Sequence, residues 1–174
     1  MLTSHELLEQ LTHRGIAYVR YEHEAVADAR AAESVKGLMR GRICKTLFVG
    51  DKHGELWLYT LPLDFRADLG ALARELGTAR LSFVDAERMI ALLGVRPGSV
   101  TPLAVINDVA GRVRLALDSS LLNEKLINIH PLINTMSIDL RPEDLIALAR
   151  ESGHEPRFVR AAISPDLLRS EESS

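Results

Sequence analysis

The stretch Gly94-Val-Arg-Pro-Gly-Ser-Val-Thr-Pro102, which leads into the apolar residues 103–106, decides how the rest of the chain is interpreted. Glycine reaches positive φ at little cost and proline fixes φ, so a short loop holding two of each is expected to be stiff. Gly98 would let a ligand approach the bare backbone. The amides of Ser99, Val100 and Thr101 would then be free to donate to a carbonyl or carboxyl-like group. A helix C-cap followed by a plain connector is the alternative interpretation.

The composition indicates one globular domain of ordinary character. The chain has 174 residues, of which 47% are hydrophobic and 26% are charged, and its formal net charge is −3. That charge argues against a non-specific nucleic-acid binder. A single cysteine excludes an internal disulfide framework and fits a reducing compartment. With no signal-peptide pattern and no apolar run near the roughly 18 residues of a membrane span, we expect a cytoplasmic protein without a membrane partner.

Positive charge is concentrated in one segment, where the single acid Glu33 is outnumbered by five cations, namely Arg30, Lys36, Arg40, Arg42 and Lys45. A basic edge on an acidic protein predicts a partner that carries a few phosphates at a defined place. A solvated surface is the alternative explanation.

Hydrophobic periodicity and turn residues predict a mixed set of elements. The first helix opens at the capping box Thr3-Ser-His-Glu6 and stops near Gly15, and further helices are predicted at residues 27–38, 67–76, 85–93 and 142–152. Strands are predicted at 17–21, 43–49, 56–61, 81–83, 103–106, 113–117, 125–129, 136–140 and 157–160. Because hairpins dominate, with 103–106 and 113–117 as one hairpin-like pair, we expect an α/β fold of the α+β type around a mixed, largely antiparallel sheet. One domain would span residues 1–163, followed by a polar, frayed tail at 164–174.

Several common chemical motifs are missing. The sequence has no dinucleotide-binding fingerprint, no nucleophile elbow and no histidine or cysteine spacing typical of zinc sites, so we expect neither a metal nor another cofactor. Cys44 stands in an apolar strand and is expected to be a buried structural thiol. Lys45, on the opposite side of that strand, could hold a phosphate or polarise a carbonyl, or could simply be solvated. His130 precedes a proline, which holds it extended and aims its ring, although an ordinary loop histidine is equally compatible.

An ordered set of segments then makes a family resemblance specific. The segments are Cys44-Lys-Thr-Leu-Phe48, Arg80-Leu-Ser-Phe83, Leu93–Pro102, Ile106-Asn-Asp108, Leu117-Asp118 and His130-Pro-Leu-Ile-Asn134. Together they resemble the YbaK / prolyl-tRNA synthetase-associated editing-domain family over nearly the whole chain. The resemblance is strongest to its free-standing members, which hydrolyse alanine mischarged on proline tRNA. It implies a YbaK-like fold and a trans-editing deacylase of Ala-tRNA(Pro), with cysteine or serine as other candidate amino acids.

The resemblance also implies roles for individual residues. Lys45, Gly98, Ser99 and His130 would be catalytic: the loop amides would contact the aminoacyl carbonyl or its oxyanion, Lys45 would hold the terminal phosphate or ribose, and His130 would orient substrate or water. Substrate contacts would come from Val100, Thr101, Pro102, Asn107 and Asn134. The tRNA acceptor end would meet Arg30, Lys36, Arg40 and Arg42. The expected partner is mischarged tRNA, with prolyl-tRNA synthetase as a second candidate, and no DNA partner is expected.

Two other classes of function remain open at this point. A binding module would hold an aminoacyl-adenosine or a nucleotide without hydrolysing it. A sequence-reading DNA binder would need a recognition helix, whereas the cations here surround a predicted helix-to-strand junction.

Overall fold

The computed structural model describes residues 1–25 and 36–172. In these parts the helices are Ser4–His13 (α1), Leu69–Leu76 (α2), Ala86–Leu93 (α3), Pro142–Glu151 (α4) and Pro165–Glu172 (α5). Short 3-10 helices cover Lys36–Leu38, Pro102–Asn107 and Ser119–Asn123. None of the helices in the described parts is long and apolar enough to cross a membrane.

The strands form one main sheet and a small two-stranded one. The ten strands are Val19–Glu22 (β1), Arg42–Gly50 (β2), Leu56–Pro62 (β3), Arg66–Ala67 (β4), Ser82–Phe83 (β5), Val113–Asp118 (β6), Ile127–Ile129 (β7), Met136–Leu140 (β8), Arg157–Val159 (β9) and Ala162–Ile163 (β10). The main sheet has the order β1-β8-β7-β2-β3-β6-β9, with β5 also on β2, while β10 pairs with β4. Its pairs β2–β7, β3–β6 and β6–β9 are parallel and the others antiparallel. The predicted α+β fold with a mixed sheet is confirmed.

Helix ends follow the predicted capping chemistry. Thr3 and Glu6 form the capping box that opens α1, because each side chain bonds the backbone N–H of the other. Asp85 caps the N-terminus of α3 through the Arg88 amide, and Gly94 ends that helix in the left-handed region. The Gly/Pro loop at residues 94–102 therefore begins as a helix C-cap.

The sheet separates two hydrophobic cores. The larger core lies against α1, α3 and α4 and takes Phe48 from β2, with Cys44 packed beside it. The smaller core lies against α2 and takes Val49 from the same strand, with Leu47 packed beside it. Because side chains alternate along a strand, each residue of β2 can be assigned to one of these two faces.

Strand β2 has an incomplete neighbour on one edge. Its whole length pairs with β3, but the other edge pairs with β7 only at residues 42–43 and with β5 only at residues 49–50. Within the described parts of the chain, residues 44–47 of that edge have no strand partner. The sheet is therefore split between β7 and β5.

The structure corrects the prediction for residues 103–106, which form a 3-10 helix rather than a strand. Pro102 is in its first turn, and the hydroxyl of Thr101 accepts from the Leu103 amide, so the local sequence starts a helix. The segment is continuously apolar because residues 102–105 are all buried, and a short continuous apolar run is also typical of a buried strand. Strand β6 consequently pairs in parallel with β3 instead of forming a hairpin with this segment.

Two further predictions concern the ends of described segments. The predicted helix 27–38 lies outside the described residues except for its last turn, the 3-10 helix Lys36–Leu38. The C-terminal tail, predicted to be frayed, carries helix α5 at Pro165–Glu172, which Pro165 opens.

Candidate functional site

Polar side chains occupy the sheet face opposite the larger core, across strands β1, β8, β7 and β2. Ile127, Ile129, Ile138 and Leu140 belong to the larger core, so alternation turns the residues between and beside them to the other side. We call these residues the polar face: Tyr21, Asn128, His130, Ser137 and Asp139, together with Lys45. Ser137 and Asp139 are each only 1% exposed, whereas Tyr21, His130 and Lys45 are partly exposed, so the centre of this face is buried and its margin is accessible.

Asp139 is the hydrogen-bonding centre of the polar face. Its carboxylate accepts from the Tyr21 hydroxyl at 2.7 Å, from the Asn128 side-chain amide at 2.8 Å and from the Arg40 backbone amide at 3.2 Å. The bond to Asp139 raises the pKa of Tyr21, with burial adding to it, which keeps that hydroxyl a donor. Three donors on one buried carboxylate hold β1, β7, β8 and the approach to β2 in a fixed arrangement.

Lys45 and His130 both belong to this face. Ile43 of β2 is in register with Asn128 of β7, which is the last pair of their parallel ladder. Each of the two candidate residues lies two positions further along its own segment, so alternation gives both side chains the same side of the sheet. Lys45 is partly buried, and its burial lowers the pKa of the ammonium, with Asp64 acting in the opposite direction.

The ring of His130 is held in one orientation. Its Nδ1 lies 2.8 Å from the Met136 carbonyl oxygen across the turn that joins β7 to β8. A carbonyl oxygen only accepts, so Nδ1 carries the hydrogen and, in the neutral ring, Nε2 has a free lone pair. Burial lowers the pKa of His130, and the nearby His23 lowers it further. The ring is therefore neutral at pH 7, and Nε2 can accept a proton.

The Gly/Pro loop supplies fewer free amides than its sequence suggests. Gly98 has φ +87°, as expected for a glycine-dependent turn. However, the Ser99 amide donates to the Arg96 carbonyl at 2.9 Å, so the predicted contact between this amide and the substrate is wrong for this conformation. Val100 packs against the larger core, and Thr101 and Pro102 are buried as the start of the 3-10 helix. The loop thus contacts the core on one face of the sheet, whereas Lys45 projects from the other.

The two asparagines predicted to bind substrate differ in their surroundings. The side chain of Asn107 is 8% exposed, donates to the Leu93 carbonyl at 2.8 Å and accepts from the Leu2 amide at 2.7 Å. Both ends of its amide group are therefore used to join the chain N-terminus to α3, and this geometry does not favour a substrate contact. Asn134 is partly exposed in the turn between β7 and β8, and its role stays a prediction.

Of the four predicted tRNA-binding cations, the structure describes the side chains of Arg40 and Arg42, and these two differ in their surroundings. Arg40 is exposed, whereas the guanidinium of Arg42 bonds Asp64 at 2.6 Å and lies 5.7 Å from the centre of the Phe65 ring. A cleft of about 260 Å³ at the start of β2 is lined by Arg40, Gly41, Arg42, Ile43, Leu63, Asp64 and Glu124. Arg30 and the side chain of Lys36 lie outside the described residues.

Cys44 is partly buried beside the larger core, rather than fully buried as expected. Its thiol donates to the Arg42 carbonyl, and burial raises its pKa well above the usual range, which favours the protonated thiol. In the part of the chain that the structure describes, no three histidine, cysteine or acidic side chains are grouped as metal ligands would be.

Sequence reasoning missed most of the polar face. Five residues of this region were not predicted as site residues, namely Tyr21, His23, Asn128, Ser137 and Asp139. The alternation of Ser137 and Asp139 in β8 was visible, but it was interpreted as a strand with one solvated face. The available signal was that Asn128, His130, Ser137 and Asp139 alternate along the two neighbouring strands of one hairpin.

Comparisons with known proteins show which family the chain resembles. The family model described as "Aminoacyl-tRNA editing domain" matches residues 23–148, which include the polar face from Asn128 to Asp139, Lys45 and the loop. A protein of Bos taurus, "Prolyl-tRNA synthetase associated domain-containing protein 1", is 35% identical over 123 residues, covering 68% of this chain and 71% of its own. "Prolyl-tRNA editing protein ProX" of Acetoanaerobium sticklandii is 28% identical over 149 residues, covering 85% of this chain and 91% of its own.

Among solved structures, a candidate trans-editing enzyme for prolyl tRNA synthetase superposes with a TM-score of 0.67 at 23% identity, covering 92% of this chain and 98% of its own. At that identity the likeness concerns the fold. The match of the family model extends over most of the chain, including Lys45 and the residues of the polar face on β7 and β8. The chain belongs to the aminoacyl-tRNA editing domain family.

Proposed function

We propose that this protein is a trans-editing hydrolase that removes alanine from mischarged proline tRNA. The family and the ProX relative support prolyl-tRNA editing in general. The single observation that carries the catalytic part is that Lys45 and His130 belong to one partly buried face, where Nδ1 of His130 is bonded to the Met136 carbonyl and the Nε2 lone pair is left to accept a proton.

Hydrolysis of the ester needs an attacking water, a place for the developing oxyanion and a leaving ribose oxygen. Nε2 of His130 would accept the proton of the water as its oxygen bonds the carbonyl carbon. The bond between that carbon and the ribose oxygen then breaks, the ribose oxygen takes the proton, and alanine leaves with free tRNA. Lys45 would hold the terminal phosphate or ribose, since an ammonium is a compact cation suited to either.

The split in the sheet is our proposed entry for the ester. Lys45 projects from one face and the loop around Gly98 packs on the other. On the edge of β2 that faces away from β3, residues 44–47 have no strand partner among the described residues. The amides of Gly98 and Val100 would contact the carbonyl oxygen there, without the Ser99 amide. A wall stiffened by Pro97 and Pro102 would admit alanine and exclude the proline ring.

The energetic reason for such a second site is general. A synthetase pocket sized for proline discriminates against a slightly smaller amino acid by only about 1–3 kcal/mol. A site that excludes by size works in the opposite direction, because the larger proline cannot enter. The cations Arg40 and Arg42 would meet the acceptor end of the tRNA, and prolyl-tRNA synthetase would be a partner that delivers it.

The proposal is tested by presenting the purified protein with proline tRNA charged with alanine, cysteine, serine or proline. We expect alanine to be released fastest and proline to remain attached. Release of cysteine or serine ahead of alanine would refute the substrate assignment. Tight binding of alanyl-tRNA without any release would refute the enzyme and support a non-catalytic binding module.

A further inference from the structure

A second histidine, His23, lies beside His130 and has no assigned role. The His23 amide donates to the Thr135 carbonyl at 3.1 Å, so the pairing of β1 with β8 extends to this residue. Its ring centre is 6.1 Å from that of His130, and the planes are inclined by 54°. His23 follows Tyr21 by two residues and therefore belongs to the same side of the sheet as the polar face.

The hydrogen bonds of His23 leave one ring atom unused. Nδ1 lies 2.8 Å from the Glu24 carbonyl oxygen, so Nδ1 carries the hydrogen and, in the neutral ring, Nε2 is an acceptor. That Nε2 is buried, and it has no hydrogen-bond partner among the residues that the structure describes. Buried polar atoms are nearly always bonded, so an unpaired acceptor next to a candidate site indicates a missing donor.

We propose that Nε2 of His23 accepts a hydrogen bond from the α-amino group of the aminoacyl ester, which makes His23 a positioning residue. This inference rests on the proposed function. The ester carbonyl and the phosphate only accept hydrogen bonds, so neither can satisfy Nε2. The α-amino group donates, and it is joined to the carbonyl carbon through one atom. An amino group on His23 would thus leave the carbonyl beside His130, where the water is activated.

A matched pair of variants separates the acceptor from the rest of the ring. His23→Asn keeps a donor near Nδ1 for the Glu24 carbonyl but places nothing at Nε2, whereas His23→Gln puts its amide oxygen near the Nε2 position. The substrates are alanyl-tRNA and propionyl-tRNA, which lacks only the amino group. His53→Asn changes an exposed histidine of the β2–β3 turn and is the control.

We expect His23→Asn to lower kcat/KM on alanyl-tRNA by about 10- to 100-fold, the range for losing one hydrogen bond to a charged donor. The same variant should leave propionyl-tRNA hydrolysis unchanged, and His23→Gln should retain most of the alanyl activity. An equal fall on both substrates would assign His23 a structural or ribose-binding role and overturn the proposal. Unchanged hydrolysis of alanyl-tRNA by His23→Asn would overturn it as well.

An NMR titration of the unchanged protein gives an answer that does not depend on turnover. The probe is a non-hydrolysable adenosine that carries alanine through a 3′-amide, and the comparison compound carries a propionyl amide. The 15N resonance of His23 Nε2 should move upfield with the alanyl compound only. Movement with both compounds, or with neither, would contradict the inference. If the protein released no amino acid from any tRNA, the proposed function would fail while this titration still decided the role of His23.

Discussion

Replacing Gly41 with alanine tests how closely β2 must approach β7 for the polar face to form. Gly41 is buried directly before β2, and a methyl group there would lie 2.5 Å from Oδ1 of Asp139, 2.8 Å from the Ile127 carbonyl carbon and 3.0 Å from the Asn128 amide nitrogen. Two of the three atoms are backbone, so rotation of a side chain cannot relieve the contact. The strand β7 or the carboxylate must move.

The cost follows from the contacts. Forcing a methyl group into a packed region costs about 1–3 kcal/mol, and weakening the bond between Asp139 and Asn128 adds about 1 kcal/mol. We therefore expect Gly41→Ala to lower the free energy of unfolding by about 2–4 kcal/mol. For a chain of this size that is a fall in Tm of roughly 4–12 °C. The deacylation rate should fall as well, because a shift of β2 against β7 moves Lys45 relative to His130.

Gly37→Ala is the matched control, because a methyl group there meets no atom within 4 Å. Its unfolding free energy should be unchanged or should rise by up to about 1 kcal/mol through a less flexible unfolded chain. Urea unfolding followed by tryptophan fluorescence and circular dichroism measures both variants. Equal unfolding midpoints for Gly41→Ala and the unchanged protein would refute this account of the strand packing.

Three other predictions concern pH, core stability and tRNA affinity. The hydrolysis rate should rise as pH increases through the pKa of His130, which burial lowers, because only the neutral ring has a free Nε2. It should fall at high pH as Lys45, whose pKa burial also lowers, loses its proton. A pH–rate profile of His130→Gln that kept the acid limb would contradict the first assignment. Asp108→Ala should lower the unfolding free energy by about 2–4 kcal/mol, since Asp108 is 3.0 Å from the buried His154 and accepts from the Val113 amide at 2.7 Å. Urea unfolding measures this change in free energy, and the kcat of the folded variant should not change. Arg40→Gln should weaken tRNA binding more than Arg42→Gln and reduce the salt dependence by about one charge, because Arg42 already bonds Asp64; filter binding at several salt concentrations would contradict this if Arg42→Gln had the larger effect.

Local chemistry allowed much of the fold to be predicted from the sequence. The capping box at Thr3, the cap pair Asp85 and Gly94 and the turn at residues 51–54 are signals written in adjacent residues, and the elements they delimit are confirmed. Residues 103–106 were misassigned because a run buried on every side carries no periodicity. There the Thr101 cap and Pro102 decide for a 3-10 helix.

The candidate site was predictable only where one residue carried the signal. Lys45 and His130 could each be predicted from their own segment. Their placement on one face of the sheet depends on the parallel pairing of β2 with β7, which joins segments about 85 residues apart in the chain. Asp139 could not be identified as a central residue of the polar face, because this role depends on hydrogen bonds from three donors on three other segments of the chain. The sequence predicts a free Ser99 amide because it does not show that the loop folds back on itself. In the structure the loop turns, and this amide donates to the Arg96 carbonyl.

The central claim, that the polar face hydrolyses the aminoacyl ester with Lys45, is tested most directly by single-turnover deacylation of Ala-tRNA(Pro). The variants are Lys45→Ala and, as a control for loss of one positive charge, Lys52→Ala in the exposed turn after β2. We predict that Lys45→Ala abolishes alanine release while its Tm stays close to that of the unchanged protein, and that Lys52→Ala keeps the full rate. Alanine release by folded Lys45→Ala at the parent rate would contradict the account.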